Sequence, residues 1–450
     1  MLTARDSPAI GENALAPLLE REPFLAELHA LLEAAATGGG RLALIGGEAG
    51  IGKTALVEAF CAASAGTAHV LSGACDALTT PRPLGPLIDI ARQAGGALRG
   101  VLADSAPRES MFDALLGELS RAGRPVVLAI EDIHWADEAT FDLIRFLARR
   151  LASLRALVIA TYRDDEIGPR HPVRLLLGDL ATSRAVRRLT LPPLSERAVS
   201  HLAGASALNA AALHRQTCGN PFFVTEILAS GGIGLPASVR DAVLARIARP
   251  GTRAHDAIEM AAVIGFRCPA DFLASLLGPD AAAIDDCAGA GVLREEPGAF
   301  AFRHEITRQA VLDAISPHRR RALHRQVLDA LRATATDPDA LARLAHHAEM
   351  AGDREAVLDF APAAAKRAIE LKANREAAAQ YARALRWASD CAAPDRAALL
   401  DGFAYQCYLT DRHAEAVEAW TAALALWRQL GNTRKEADTL RLRSRPLWHL

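Results

Sequence analysis

Residues 41–54, RLALIGGEAGIGKT, constrain this chain more than any other stretch. A short apolar run, Arg41 to Gly46, ends in glycine and reads as a buried strand. Thr54 to Ala63 carries the pattern of a helix. Between them, Gly47 to Thr54 fits the spacing GxxxxGK[ST]. Glycines let backbone N–H groups turn inward around phosphate oxygens without Cβ clashes. The helix that follows aims its partial positive end at the same place. Lys53 is placed for the β- and γ-phosphates, and Thr54 offers a hydroxyl to Mg²⁺. The chain has only four lysines, Lys53, Lys366, Lys372 and Lys435, so a lysine in this loop is not a by-product of composition. The predicted binding segment for ATP or ADP is Gly47, Glu48, Ala49, Gly50, Ile51, Gly52, Lys53, Thr54 and Ala55.

Such a loop needs a second strand that brings an acid to the metal. Pro125 to Asp132, PVVLAIED, supplies five apolar residues and then Glu131 and Asp132. At the carboxyl end of a central strand, one acid would hold Mg²⁺ and the other would orient the attacking water. A third strand, Ala156 to Tyr162, is followed by Arg163. An arginine there either senses the γ-phosphate or is a solvated strand end.

At 450 residues the chain exceeds a single core, and two to four domains are expected. Ala is abundant and only 5% of residues are aromatic, which favours helix over sheet. A net charge of −2 gives no global field toward nucleic acid or anionic lipid. Seven scattered cysteines, never in CxxC spacing, read as reduced thiols rather than a disulfide framework or zinc site. No apolar run approaches the ~20 residues of a membrane helix, and the first residues lack a signal core. The expected location is cytoplasmic.

With these pieces in place, four stretches carry a resemblance: EDIHWADEAT (131–140), ATYRDDE (160–166), CGNPFFVTEIL (218–228) and LPASVRDAVLARIARP (235–250). The chain resembles the N-terminal half of the large ATP-binding LuxR-type regulators, STAND-class signalling ATPases with an Orc1-like AAA domain. The resemblance covers about residues 14 to 430. It implies that Arg21, in LLEREPFL, lies beside the adenine, with Glu20 where the family usually has Gly. It implies that Pro221, in Gly219-Asn220-Pro221, packs near the base. The same three residues also read as a helix start with an Asn cap and Pro in the first turn. His134 and Trp135 read either as part of the site or as a packed pair at the strand end.

Beyond the core, residues 194–232 read as three short lid helices. From about 236 to 332, short helices precede a hairpin signal, with Gly291 to Arg294 and Ala299 to Arg303 flanking the turn at 296–298. Helices followed by a wing are a winged-helix arrangement. That fold often binds DNA, but in the STAND class it is a regulatory arm. His304 either reaches a bound ADP phosphate from this arm or serves as a core or cap residue. The basic run His318 to Arg321 precedes Leu323, Val327, Leu328 and Leu331 at helical spacing, which reads as the solvated start of an amphipathic helix. Three segments, EAVLDF (355–360), EAAAQY (376–381) and EAVEAW (415–420), then share one template and are consistent with TPR-like hairpins. The sequence ends at RLRSRPLWHL, and the family's C-terminal helix-turn-helix is expected to be absent.

The expected fold class is thus multidomain: an α/β P-loop NTPase core with a parallel sheet, an all-α lid, a winged-helix arm and a TPR-like α-helical array. The expected divisions are a disordered N-terminus at 1–13, the core at 14–193, the lid at 194–235, the arm at 236–335 and incomplete repeats at 336–450. The expected function is a slow ATPase that acts as a signalling switch of transcriptional-regulator type. Lys53, Glu131, Asp132 and Arg163 would carry catalysis, and Thr54, Glu131 and Asp132 would hold Mg²⁺. Expected partners are the nucleotide and a protein or small-molecule signal on the helical repeats. Direct DNA binding and membrane contact are not expected, and nucleotide-dependent self-association stays open. Two other readings also stay open: an AAA-type ATPase acting on nucleic acid, and a scaffold whose nucleotide is structural.

Overall fold

In the computed structural model, residues 18–103, 107–121, 123–204, 208–229, 252–334 and 338–450 are described. The stretch 235–250 and the first 17 residues, on which some expectations rest, lie outside them.

Apolar strands buried on both faces need helices on both sides, and that architecture is present. Five parallel strands, β1 (Arg41–Gly46), β2 (His69–Ala74), β3 (Val126–Glu131), β4 (Ala156–Thr161) and β5 (Val186–Thr190), run in the order β2-β3-β4-β1-β5. Alternate residues of each strand face opposite layers. Ala43 and Ile45 meet Leu28, Leu56 and Phe60 of the helices Glu22–Ala36 and Lys53–Ser64. Leu42 and Leu44 turn to the other side, where Met111, Phe112 and Ile144 pack. The order places β1 between β4 and β5, and β4 between β1 and β3. The glycine loop, the end of β4 and the acidic end of β3 therefore lie side by side at the carboxyl edge.

Three short helices, Glu196–Ala203, Ala210–Thr217 and Pro221–Ala229, follow the sheet and form their own small core around Val199, Leu213 and Val224. The helix Thr252–Ile264 opens the arm. Its sheet has three antiparallel strands, β6 (Arg267–Pro269), β7 (Leu293–Glu296) and β8 (Ala299–Phe302), ordered β6-β8-β7. The hairpin starts at Leu293 rather than Gly291. Gly291 takes φ +67° and the Val292 N–H closes on Cys287 O, so those residues finish the preceding helix, Ala283–Gly289, instead.

The helix Pro317–Thr334 buries Leu323, Val327, Leu328 and Leu331, while Arg319 pairs with Asp256 and Glu259. Six further helices, from Leu341–Ala351 to Thr433–Leu447, are joined by loops of two to six residues, and successive ones pack together. Their close approach depends on small residues: a Cβ on Gly402 would lie 2.7 Å from the Tyr381 ring. The template aromatics are packing residues, with Trp420 fully buried among Ala378, Ala404 and Ala416.

The apolar core does not break between arm and array. It runs from Phe222 through Ile258 and Phe302 to Leu344 and Val357. The array also folds back, so that Ala368, Leu371, Ala373 and Ala377 join the cluster on one face of the parallel sheet. All seven cysteines are free. Among the described residues, no helix is long and apolar enough to cross a membrane.

Candidate functional site

The loop between β1 and the helix Lys53–Ser64 is shaped by three glycines in the left-handed region, at φ +150° (Gly47), +78° (Gly50) and +99° (Gly52). L side chains rarely adopt these angles, so the residue type follows from the turn. Ile51 is buried beneath the loop and anchors it. Lys53 is also buried, and its Nζ donates to Gly47 O at 2.6 Å and Glu48 O at 2.8 Å. Burial lowers its basicity, and the nearby Asp132 charge opposes that shift. The Thr54 hydroxyl donates to Glu131 Oε2 at 2.7 Å, joining the helix start to the end of β3.

Two carboxyls follow one another at that end. Burial and the Asp132 charge push Glu131 up to about 7. Burial pushes Asp132 up to about 6, against Arg163 and Lys53. Asp132 adopts φ +56°, and its N–H donates to Thr161 Oγ1 at 2.9 Å, which ties β3 to β4 beside the loop. Arg163 lies over the Trp135 ring at 4.5 Å, pairs with Glu166, and stands 4.0 Å from Asp132 Oδ1. His134 is enclosed between Asp132 and Glu166 at 3.7 and 3.5 Å, too far for normal hydrogen bonds. Burial and the positive charge of Arg163 hold its imidazole down to about 2, in the neutral form.

The lid is fastened directly to the loop. Asn220 Nδ2 donates to Ala49 O at 2.9 Å, and the Phe222 N–H donates to Gly50 O at 3.2 Å. A Cβ on Gly50 would come within 2.7 Å of Phe222 Cβ. Pro221 occupies the first turn of the helix beginning at this contact. Arg21, 2% exposed, donates to Ile51 O at 3.1 Å and Pro192 O at 2.8 Å, so it braces the loop from below. Glu20 takes φ +58°, the conformation glycine would adopt most easily, and its carboxylate receives the Ser195 N–H and hydroxyl. Ser195 in turn caps the first lid helix by accepting from the Ala198 N–H.

The arm closes the same edge from above. Arg294 of β7 makes a two-point ion pair with Glu58 of the helix Lys53–Ser64, at 2.5 and 2.7 Å. Glu305, paired with Arg308, adds negative charge that raises Asp132. The His304 ring rests 4.6 Å from that of Phe222. Behind the acid pair, the array reaches in: Glu376 Oε1 accepts the Glu138 N–H at 3.1 Å, and Glu138 Oε2 accepts the Arg375 N–H at 3.4 Å. Burial and the neighbouring Asp137 charge push Glu376 up to about 8.

Of the predicted residues, the loop, Thr54, Glu131, Asp132 and Arg163 converge at one edge. Arg21 and Pro221 join it through contacts with the loop or its neighbours. Thr161, Glu166 and Asn220 belong to the constellation and lie within or beside quoted motifs. Glu58, Arg294 and Glu305 gave no local signal, because their importance lies in contacts across 236 or more residues or in charge alone.

Residues 17–159 match the family described as AAA ATPase domain. The chain therefore carries an AAA-type ATPase domain on a parallel P-loop sheet. It is 30% identical over 312 residues to an uncharacterized protein of Rhizobium meliloti (strain 1021). That match covers 63% of this chain and 30% of the relative, so the chain spans under a third of the relative's length. Among solved structures it is similar to a STAND protein with a tetratricopeptide repeat sensor from Pyrococcus horikoshii. There the identity is 12%, with 94% of this chain and 80% of that chain covered at a TM-score of 0.46. It is also similar to Cdc6p from Pyrobaculum aerophilum, at 14% identity, 68% and 96% coverage, and a TM-score of 0.36.

Proposed function

We propose that this chain is an ATP/ADP-operated signalling switch with slow turnover, of the type found in transcriptional regulators, working in the cytoplasm. The observation that carries the reading is that lid and arm both grip the phosphate-loop unit. Asn220 and Phe222 hold the carbonyls of Ala49 and Gly50, and Arg294 holds Glu58 on the helix that leaves the loop.

The donor set fits a nucleotide with Mg²⁺. The loop is built from left-handed glycines, and two adjacent half-buried carboxyls are held above their ordinary range. A divalent cation relieves such a pair. Gly47 to Ala55 would hold the phosphates of ATP or ADP, with Thr54, Glu131 and Asp132 around the metal. Bound ATP would supply a γ-phosphoryl group open to attack by water. Lys53 would exchange its two carbonyl partners for phosphate oxygens. Glu131, next to the Thr54 hydroxyl at the end of β3, would orient the attacking water and accept its proton. Arg163 would leave Glu166 to read the γ-phosphate, and Arg21 and Pro221 would shape the base side of the site.

Exchange between ADP and ATP would bias the arm between docked and released states, since a nucleotide shifts such an equilibrium only by its differential affinity. A protein or small-molecule signal on the TPR-like array would bias the same equilibrium through the Glu376–Glu138 contact. Steady-state hydrolysis by the full chain tests this. Turnover well below one per second, unaffected by DNA or RNA, is expected, roughly at or under the low end of ordinary enzymes. Fast turnover stimulated by nucleic acid would contradict it.

A further inference from the structure

The helices Pro317–Thr334 and Leu341–Ala351 meet where the arm passes into the array. Three histidines converge on their seam: His324 from the first, His346 and His347 from the second. His324 Nδ1 lies 2.9 Å from His347 Nδ1, and one nitrogen from each of the three rings falls within 4.8 Å of the others. His324 and His347 are 3% and 1% exposed, and His346 is half-buried. His324 Nε2, His346 Nδ1 and His347 Nε2 have no hydrogen-bond partner among the described residues. Buried polar atoms without partners are costly, and the same helix fills its other inward positions with Leu323, Val327 and Leu328 at no such cost. Packing alone does not account for three imidazoles here.

We propose that His324, His346 and His347 form a site for one imidazole-preferring divalent transition-metal ion, Zn²⁺ or its neighbours Co²⁺ and Ni²⁺, which ties the last helix of the arm to the first of the array. Metal–nitrogen bonds of about 2.0–2.1 Å set ligand nitrogens about 2.9–3.4 Å apart, from right-angle to tetrahedral geometry; the His324–His347 pair, which now shares a hydrogen bond at 2.9 Å, stands at the short end of that range. The third ring, from half-buried His346, already brings a nitrogen within 4.8 Å of the other two. Burial keeps all three imidazoles neutral, the form that ligates: His324 is lowered to about 4, His346 to about 3, and His347 well below its ordinary value. Arg308, Arg320, Arg343 and Arg383 add positive charge around the cluster, although Arg308 is paired with Glu305 and Arg383 with Glu349. That field opposes any cation, so nitrogen ligation must supply the affinity. It selects a transition metal over Mg²⁺ or Ca²⁺, which want oxygen.

The test uses the full chain stripped of metal by EDTA and desalting, then held in excess ADP and Mg²⁺ so that the nucleotide site is filled. CoCl₂ is titrated while visible absorption is followed, and ZnCl₂ is then added in competition. The expected result is one Co²⁺ per chain with a d–d band that Zn²⁺ displaces. His346→Ala should lose the band and weaken binding roughly tenfold or more. His201→Ala, at an exposed histidine elsewhere, should keep it. His324→Ala and His347→Ala should behave as His346→Ala, and if either fails to fold the half-buried His346 decides alone. Absence of the band in the wild type, or equal binding by wild type and His346→Ala, would overturn the proposal.

Discussion

Arg294, on the arm's hairpin, grips both carboxylate oxygens of Glu58, on the helix that leaves the glycine loop. This two-point pair joins residues 236 positions apart and fixes the arm against the phosphate-binding unit. Both side chains are partly exposed, so the pair is worth about 0.2–1 kcal/mol of stability. Its larger effect should be on dynamics. Arg294→Ala is expected to speed ADP release by a few fold with little change in melting temperature, followed with a fluorescent ADP in stopped flow. Exchanging the two charges, Glu58→Arg with Arg294→Glu, should bring the rate back toward wild type. An unchanged release rate in Arg294→Ala would mean that the arm does not gate the site.

Asn220 joins lid to loop and also accepts the Phe222 N–H at 3.1 Å. Asn220→Ala removes both bonds at a position 3% exposed. The expected cost is about 1–3 kcal/mol of stability, because Ala49 O loses a buried donor. Nucleotide affinity should fall with it. Chemical denaturation and equilibrium binding check the two arms separately.

Glu376 supplies a pH dependence whose sign is fixed. Its carboxyl is raised from 4.5 to about 8 by burial and the Asp137 charge, so the folded chain holds a proton that the unfolded chain releases. The stability it contributes is full below pH 4.5 and is lost progressively as pH rises toward about 8. The proton is shared with the adjacent buried Asp137, and the slope is on the order of 1 kcal/mol per pH unit across the window. Glu376→Gln should flatten the slope by that amount, measured as denaturation midpoints between pH 5 and 9. A variant with the wild-type slope would show that Glu376 ionises freely in the folded chain.

Glu131 is assigned the proton from water. Glu131→Gln keeps the Thr54 hydroxyl bonded to an oxygen acceptor and should leave ADP affinity within a few fold. Hydrolysis should fall by about 10²-fold or more. A turnover equal to wild type would move the base role to Asp132.

The core of this fold was legible because its parts are contiguous. The apolar strand Arg41–Gly46, the glycine loop and the helix at Lys53 follow one another, and the acid pair closes an equally apolar strand. The arm was legible only in outline. The strand Arg267–Pro269 has three residues and includes a proline, so it carries no period to read; β8 defines it through pairing. The roles of Glu58 and Arg294 depend on a docking geometry that neither helix nor hairpin pattern encodes. The family resemblance places Arg21 beside adenine; its guanidinium is bound to backbone carbonyls of Ile51 and Pro192, a partnership that spacing does not reveal. The shared template in the array marked Phe360, Tyr381 and Trp420, and of these Trp420 lies fully inside the packing.

In the proposed switch, the docked arm and lid hold a nucleotide on the loop. The most direct measurement is to purify the full chain without added nucleotide, denature it, and quantify what is released by chromatography, with Lys53→Ala in parallel. Stoichiometric ADP is expected from the wild type and none from Lys53→Ala. A wild-type chain that releases no nucleotide would contradict it.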